Sequence, residues 1–303
     1  MKTLSFIAST ITLIFSLSSG NALANFEITK NYPVSEVREA KVEGRPYVDV
    51  IIVNYRGSDK KWRDIKKLFV GSRTHYKKAG IHLNLVKAVE IKMKHKYRKH
   101  TANNIDGVDP KMGMQPYAAM KIRKVSLHER ARRVFDKLTF LSSRPENTLF
   151  ALISEGIFYK AFYSRDGQRV ALSKGVQGFS FPAYSFEDRI PHHLRGFVSI
   201  LPNSGARTLS HEFGHKLINV SHEGLDSCPK FSGSGIPGLM GYGRSSEIFE
   251  GRKGRFHKER LHLSPFVYKI VDGVRVQNPD YEEHGHYRDP IYKGKFFLTP
   301  ECP

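Results

Sequence analysis

The sequence predicts an α/β (α+β) fold: a twisted mixed sheet, one long helix behind it, and a second helix that carries a histidine motif. Three consecutive segments support this, namely a β-branched run at 46–54, a long basic helix at 59–78 and an alternating strand at 81–86. β-Branched runs favour buried strands. The strand–helix–strand order favours two parallel strands joined by a crossover helix.

The first three elements each have a clear pattern. Pro46–Asn54 is largely apolar, as expected for a strand that is covered on both faces. The helix predicted from Asp59 to Lys78 is followed by Gly80, a residue type that caps helix C-termini. Its inner face would consist of Trp62, Ile65, Leu68 and Phe69. Ile81–Val86 alternates and predicts the second strand.

Further strands and the second helix follow. Thr148–Ser154 predicts a third strand, and Gly178–Tyr184 predicts a fourth at the sheet edge. Gly196–Pro202 predicts a short strand that the proline ends. Residues 203–205, Asn-Ser-Gly, supply turn and cap chemistry, so a helix is expected directly after them.

That helix contains the strongest functional signal in the chain. His211 and His215 are four residues apart, so on a helix they share one face about 6 Å apart. This spacing allows both imidazoles to reach one zinc ion at roughly 2.0–2.1 Å. Glu212 follows the first histidine, where a carboxylate can accept a proton from a zinc-bound water. The motif therefore predicts a hydrolytic Zn²⁺ site, with His222 as a third ligand.

The bare spacing also has a plain explanation, an amphipathic helix with surface histidines. The chain has 14 His among 303 residues, so this spacing also arises by chance in some sequences. The context favours the metal site, because the residues between the histidines are Phe213 and Gly214, as in a tightly packed helix. Leu209, Phe213, Leu217 and Ile218 form an apolar stripe at helical spacing.

The motif resembles the signature of the metzincin metallopeptidases, His-Glu-x-x-His-x-x-Gly-x-x-His followed by a methionine turn. This chain has Ile218 in place of the glycine, and its third histidine, His222, comes one residue late. Asn219 adopts the left-handed helix end more readily than most residues and would keep the spacing from helix end to ligand. Asp226 is an alternative third ligand, and another type of zinc hydrolase with a different third ligand stays open.

The resemblance extends over about residues 45–245 and includes a methionine turn at Gly238–Tyr242. It implies that Met240 forms a hydrophobic floor beneath the metal and that the edge strand at 178–184 pairs with substrate. For Tyr242, two roles stay open: a hydrogen bond to the tetrahedral intermediate, or structural packing.

The N-terminus reads as an export signal. Residues 1–24 have a basic start at Lys2, an apolar core and a small-residue cleavage site at Ala22–Ala24. This predicts a secreted or periplasmic protein, of bacterial type by its signal, without a transmembrane segment. Residues 25–44 are a candidate short pro-segment, and 45–303 is predicted to be a single domain with a C-terminal extension.

The two cysteines, Cys228 and Cys302, suit one disulfide in an exported protein. The alternative is that one thiolate binds zinc and keeps an enzyme latent. An even pair with no cysteine upstream of the motif favours the disulfide.

A formal net charge of +20 predicts attraction to anionic surfaces. It is concentrated at 92–100 and 252–260, which are read either as a solvated surface or as a docking surface for an anionic polymer. Dedicated nucleic-acid binding is not expected in an exported chain without a recognition motif. The cluster at 282–289 is more typical of a polar loop than of a second metal site.

Together these features predict a monomeric, secreted zinc endopeptidase that acts on protein or peptide substrates, with Glu212 as general base. One alternative is a peptidase or amidase directed to the cell wall or envelope by the basic segments. Another is a binding protein in which zinc only stabilises the fold; a structural site normally has four protein ligands and no need of Glu212.

Overall fold

A computed structural model of the chain describes residues 26–93, 105–106, 126–127, 129–154, 160–162, 169–171, 177–180, 191–218, 238–240, 249 and 251–278. All statements below concern these residues. The signal at 1–24 lies outside them. Within them, no helix is long and apolar enough to cross a membrane.

The predicted mixed α/β architecture is confirmed. The main sheet has the strand order β1-β3-β2-β6-β10-β9. The four inner strands are parallel, and the two edge strands run antiparallel to their neighbours. These strands are β1 (Phe26–Asn31), β2 (Tyr47–Tyr55), β3 (His82–Met93), β6 (Thr148–Ile153), β9 (Gly178–Phe179) and β10 (Phe197–Ile200).

Four helices and several smaller strands complete the described part. The helices are α1 (Trp62–Lys77), α2 (Glu129–Leu138), α3 (Ala206–Leu217) and α4 (Gly251–His262). Short two-stranded ladders are formed by β4 (Ile105–Asp106) with β5 (Ser126–Leu127), and by β7 (Lys160–Phe162) with β8 (Arg169–Ala171). A hairpin of β11 (Val267–Val271) and β12 (Val274–Gln277) joins the main sheet through the start of β2.

Strand β2 is at the centre of the core because its side chains are buried on both faces of the sheet. Val48, Val50 and Ile52 pack with α1 and α3, whereas Ile51 and Val53 pack with α2 on the opposite face. All five are 0% exposed. The β-branched run therefore forms the doubly covered strand that the sequence predicts.

Helix α3 is held against α1 by a close backbone approach and by buried hydrogen bonds. A Cβ on Gly71 would lie 2.5 Å from the Cβ of Ala206, so the helices meet where α1 has no side chain. The Tyr76 hydroxyl donates to the carbonyl of Ser210 at 2.7 Å. The Ser210 hydroxyl lies 2.8 Å from Nδ1 of His75. These contacts fix the residue directly before His211.

The segment at 25–44 belongs to the folded structure. Residues 26–31 form β1, which pairs with residues 89–93 of β3, and Val37 is 5% exposed within the core. Glu36 and Glu39 form ion pairs with basic residues of α1. Removal of this segment as a pro-segment stays a prediction, and it would leave β3 as an unpaired sheet edge.

The C-terminal hairpin is attached through a buried carboxylate at the start of β2. Asp49 accepts hydrogen bonds from Tyr268 Oη and Asn84 Nδ2, each at 2.7 Å, and from Arg275 Nη1 at 2.5 Å. The Arg275 guanidinium also stacks over the Tyr268 ring, 3.6 Å from its centroid. The region beyond residue 245 thus includes a strand that pairs with the main sheet.

Candidate metal centre

Helix α3 carries the histidine motif and follows β10 through the turn at 201–205. Gly205 is its N-cap, and its apolar stripe packs into the core beneath the sheet: Leu209, Phe213 and Leu217 are 0% exposed. The helix ends at Leu217, with Ile218 in the αR region as its C-cap. Ile218 therefore continues the helical turn, and does not reverse it as the glycine of the metzincin signature is expected to do.

His211 and His215 lie side by side on one face of α3. Their ring centroids are 4.9 Å apart and the rings are nearly perpendicular, at 87°. Nδ1 of His211 lies 2.7 Å from the carbonyl oxygen of Leu239. A carbonyl only accepts, so Nδ1 is the protonated nitrogen and Nε2 of the neutral ring carries the lone pair. Metal-binding histidines are commonly oriented by such a bond.

Glu212 points into a confined space between α3 and β9. It is 5% exposed, and its Oε2 has no hydrogen-bond partner among the described residues. Burial raises the pKa of Glu212 to about 8, and the Ser180 hydroxyl and the Lys216 ammonium oppose this shift. A buried carboxylate with an unsatisfied oxygen is costly, so its retention suggests that an external group or substrate completes its contacts.

Strand β9 forms the wall that Glu212 faces. A Cβ on Gly178 would lie 2.5 Å from Oε1 and 2.7 Å from Cγ of Glu212, so the glycine makes room for the carboxylate. Two residues later, the Ser180 hydroxyl donates to the backbone carbonyl of Glu212 at 3.0 Å. The predicted edge strand is present at Gly178–Phe179, where it pairs antiparallel with β10. Residues 181–184 of that prediction lie outside the described residues.

Met240 packs against α3 at Gly214, in the helical turn between the two histidines. It is 0% exposed, and a Cβ on Gly214 would lie 2.3 Å from its sulfur. Gly214 is the residue before His215, so the absence of a side chain there lets the methionine lie against the helix backbone. Gly238, at φ +117°, starts this turn in a conformation that favours glycine.

Several groups near the centre were not identified from sequence. Lys216 is only 1% exposed although it lies on the motif helix, and burial lowers its pKa to about 7; Glu212 opposes this shift and Arg195 adds to it. The available signal was its place between the apolar positions 213 and 217. Arg260 is 4% exposed and donates from Nε to the carbonyl of Ile218 at 3.0 Å. This member of the basic run 252–260 therefore supports the end of α3 and does not belong to a solvated surface.

The remaining predicted site residues lie outside the described part of the chain: His222, Asp226, Cys228, Tyr242 and Cys302. The same holds for residues 94–100 of the first basic run and for the cluster at 282–289. Within the described residues, no group of three or more His, Cys, Asp or Glu side chains could hold a metal ion. The described part thus contributes two imidazoles and one carboxylate to the predicted centre.

No family model matches this chain, and no curated protein does so either. Among solved structures, the chain is similar to metalloproteinase-II from Bacteroides fragilis, with 13% sequence identity and a TM-score of 0.38. The match covers 80% of this chain and 58% of the other, so the chain spans less than two thirds of that structure. A similarity this distant does not assign an activity, and the chemistry of the side chains must do so.

Proposed function

We propose that the protein is an exported zinc-dependent peptidase. The observation that carries the proposal is the combination on α3: two adjacent imidazoles, one of them with its Nδ1 bonded to Leu239, beside a buried carboxylate with an unsatisfied oxygen. Imidazole is a donor type that zinc prefers. The two imidazoles therefore supply part of a zinc ligand set, and at least one further ligand must come from residues outside the described part of the chain.

In the proposed centre, His211 would bind zinc through Nε2 and His215 through its imidazole. His222 is the proposed third ligand, with Asp226 as the alternative. When bound, zinc acts as a Lewis acid and provides an activated water at neutral pH. Met240 would support the two ligands from below, because it packs against Gly214 between them.

Glu212 is the proposed general base. Its Oε2 would take a proton from the attacking water and return it to the leaving nitrogen of the cleaved peptide. Burial moves the pKa of Glu212 from the acidic range towards neutral pH, which suits a group that must both accept and release a proton. Its burial between α3 and β9 also excludes bulk water from the proton-transfer step.

We further propose the metzincin type, with the substrate backbone alongside β9 and with Tyr242 near the scissile carbonyl. Strand β9 suits this role because it is the edge of the main sheet next to Glu212. The same proposal includes export by the segment 1–24 and a Cys228–Cys302 disulfide. It also includes a monomeric state and docking of the basic segments on an anionic envelope.

The rival function is a binding protein that zinc merely stabilises. Glu212 argues against it, because a structural zinc site gains nothing from a neighbouring carboxylate that is buried and incompletely bonded. Groups kept at a cost in stability are concentrated at active sites.

The test compares wild type with Glu212→Gln, and uses Glu146→Gln, an exposed carboxylate, as a control. We expect about one zinc per chain in all three proteins. Cleavage of a mixed protein substrate should be sensitive to chelator in wild type and control, and absent in Glu212→Gln. Activity in Glu212→Gln would refute the mechanism, and the absence of zinc from wild type would refute the proposed function.

A further inference from the structure

We infer that Arg207 is a positioning residue of the metal centre, which it serves by holding the turn at 238–240 against α3. This inference rests on the proposed function, because it concerns the orientation of the proposed ligand His211. Arg207 itself would contact neither metal nor substrate.

Two consecutive carbonyls of the turn accept hydrogen bonds from one face of the helix. Nη2 of Arg207 donates to the carbonyl of Gly238 at 2.7 Å. Nδ1 of His211 donates to the next carbonyl, that of Leu239, also at 2.7 Å. Arg207 and His211 are four residues apart, so their side chains lie one above the other on α3. The arginine bond is therefore adjacent to the bond that orients the ligand.

The apolar contacts of the turn cannot replace this bond. Leu239 and Met240 are both 0% exposed and pack near Gly214. Such packing fixes how deeply the turn is buried, but it is non-directional and tolerates a rotation of the peptide plane. A hydrogen bond to the preceding carbonyl restricts that rotation, because hydrogen bonds weaken steeply as they depart from linearity.

The consequence for the metal site is that the His211 imidazole has a fixed orientation. With the Leu239 carbonyl held in place, the His211 ring keeps one tautomer and one rotation, and its Nε2 keeps one direction. Without the Arg207 bond, the carbonyl can turn away and the ring loses its orientation. Loss of such an outer contact typically lowers metal affinity or activity by about 10–100-fold.

The experiment measures zinc affinity by competition with a chromophoric chelator for wild type, Arg207→Met and Arg207→Lys. The methionine keeps an apolar stem without the donor, whereas lysine keeps one donor. The matched control is Arg73→Met, because Arg73 is also partly buried and donates to a backbone carbonyl, that of Val37 at 2.6 Å, through a contact of α1 with the N-terminal segment.

We expect zinc to bind about 10–100-fold more weakly to Arg207→Met, with partial recovery in Arg207→Lys and no change in Arg73→Met. Equal affinity in wild type and Arg207→Met would overturn the inference while leaving the proposed function intact. An equal loss in Arg73→Met would overturn it as well, since the effect would then be general. If wild type bound no zinc, the proposed function itself would fail.

A second measurement reports directly on the orientation of the His211 ring. In metal-free wild type with ¹⁵N-labelled histidine, at a pH at which the His211 ring is neutral, its proton should be on Nδ1, the nitrogen that faces Leu239. The Arg207→Lys spectrum should show that tautomer less completely populated. A wild-type His211 ring protonated at Nε2 would overturn the inference, because the turn would then not orient the ring.

Discussion

Replacing Gly178 by alanine tests most directly whether β9 positions Glu212. The added Cβ would lie 2.5 Å from Oε1 and 2.7 Å from Cγ of Glu212, and 2.8 Å from Cγ2 of Thr208. Ordinary van der Waals contact begins near 3.4 Å, so the carboxylate and the strand must separate by about 0.9 Å. Thr208 limits any shift of β9 along α3, so the Glu212 side chain is the group that would move.

The expected losses of stability and of turnover follow from that displacement. Overpacking of a filled site by one methyl group destabilises a protein by about 1–3 kcal/mol. A catalytic group misplaced by about 1 Å reduces turnover by about 100-fold. We therefore expect Gly178→Ala to fold, to bind zinc like wild type, and to show a kcat about 100-fold lower with a much smaller change in KM.

The matched control is Gly71→Ala, whose added Cβ would lie 2.5 Å from that of Ala206. This contact also crowds α3, but it does not touch Glu212. Thermal unfolding, zinc content and peptide cleavage would be measured for both variants. Comparable destabilisation with a loss of kcat only in Gly178→Ala supports the reasoning. A folded Gly178→Ala with wild-type kcat, or an equal loss of kcat in both variants, would refute it.

Two further predictions concern stability. Asp49→Ala leaves the largely buried Arg275 guanidinium without its carboxylate, so we expect a loss of about 3–5 kcal/mol in urea unfolding. Glu36→Ala, which breaks an exposed ion pair, should destabilise the protein far less than Asp49→Ala; equal losses would contradict this account. For His75, burial lowers the pKa, and nearby Arg207 and Lys78 add to the shift. The unfolded chain then binds a proton at a higher pH than the folded one, so stability should fall as pH drops through about 6.5. The fall should be smaller in His75→Gln, and identical pH slopes would show that His75 does not contribute.

The central strands and helices followed from local patterns. The β-branched run at 46–54 became β2 at Tyr47–Tyr55, and the helix expected at 59–78 became α1 at Trp62–Lys77. A strand that is buried on one face has apolar residues at every second position, and a strand that is buried on both faces is apolar throughout. Both patterns are visible in the sequence. Strand β3 continues to Met93, well beyond the predicted Val86, because pairing with β1 and β2 extends it through charged positions.

Elements stabilised by distant partners were not predictable in this way. Strand β1 has a polar sequence and is a strand because it pairs with β3. The β11–β12 hairpin depends on Asp49, which precedes Tyr268 by 219 residues. A hydrogen bond between residues so far apart in the chain produces no periodic residue pattern in either segment.

For the candidate site, the sequence by itself determined the donor types and their helical spacing: His211, Glu212 and His215 on one short segment. Only the tertiary structure decided that Leu239 orients His211, that Arg207 holds the same turn, and that Gly178 leaves room for Glu212. The physical reason is that spacing along a helix is a local property of the backbone. The direction of a ring, the burial of a carboxylate and the shape of the space around it depend on residues that folding brings from elsewhere in the chain.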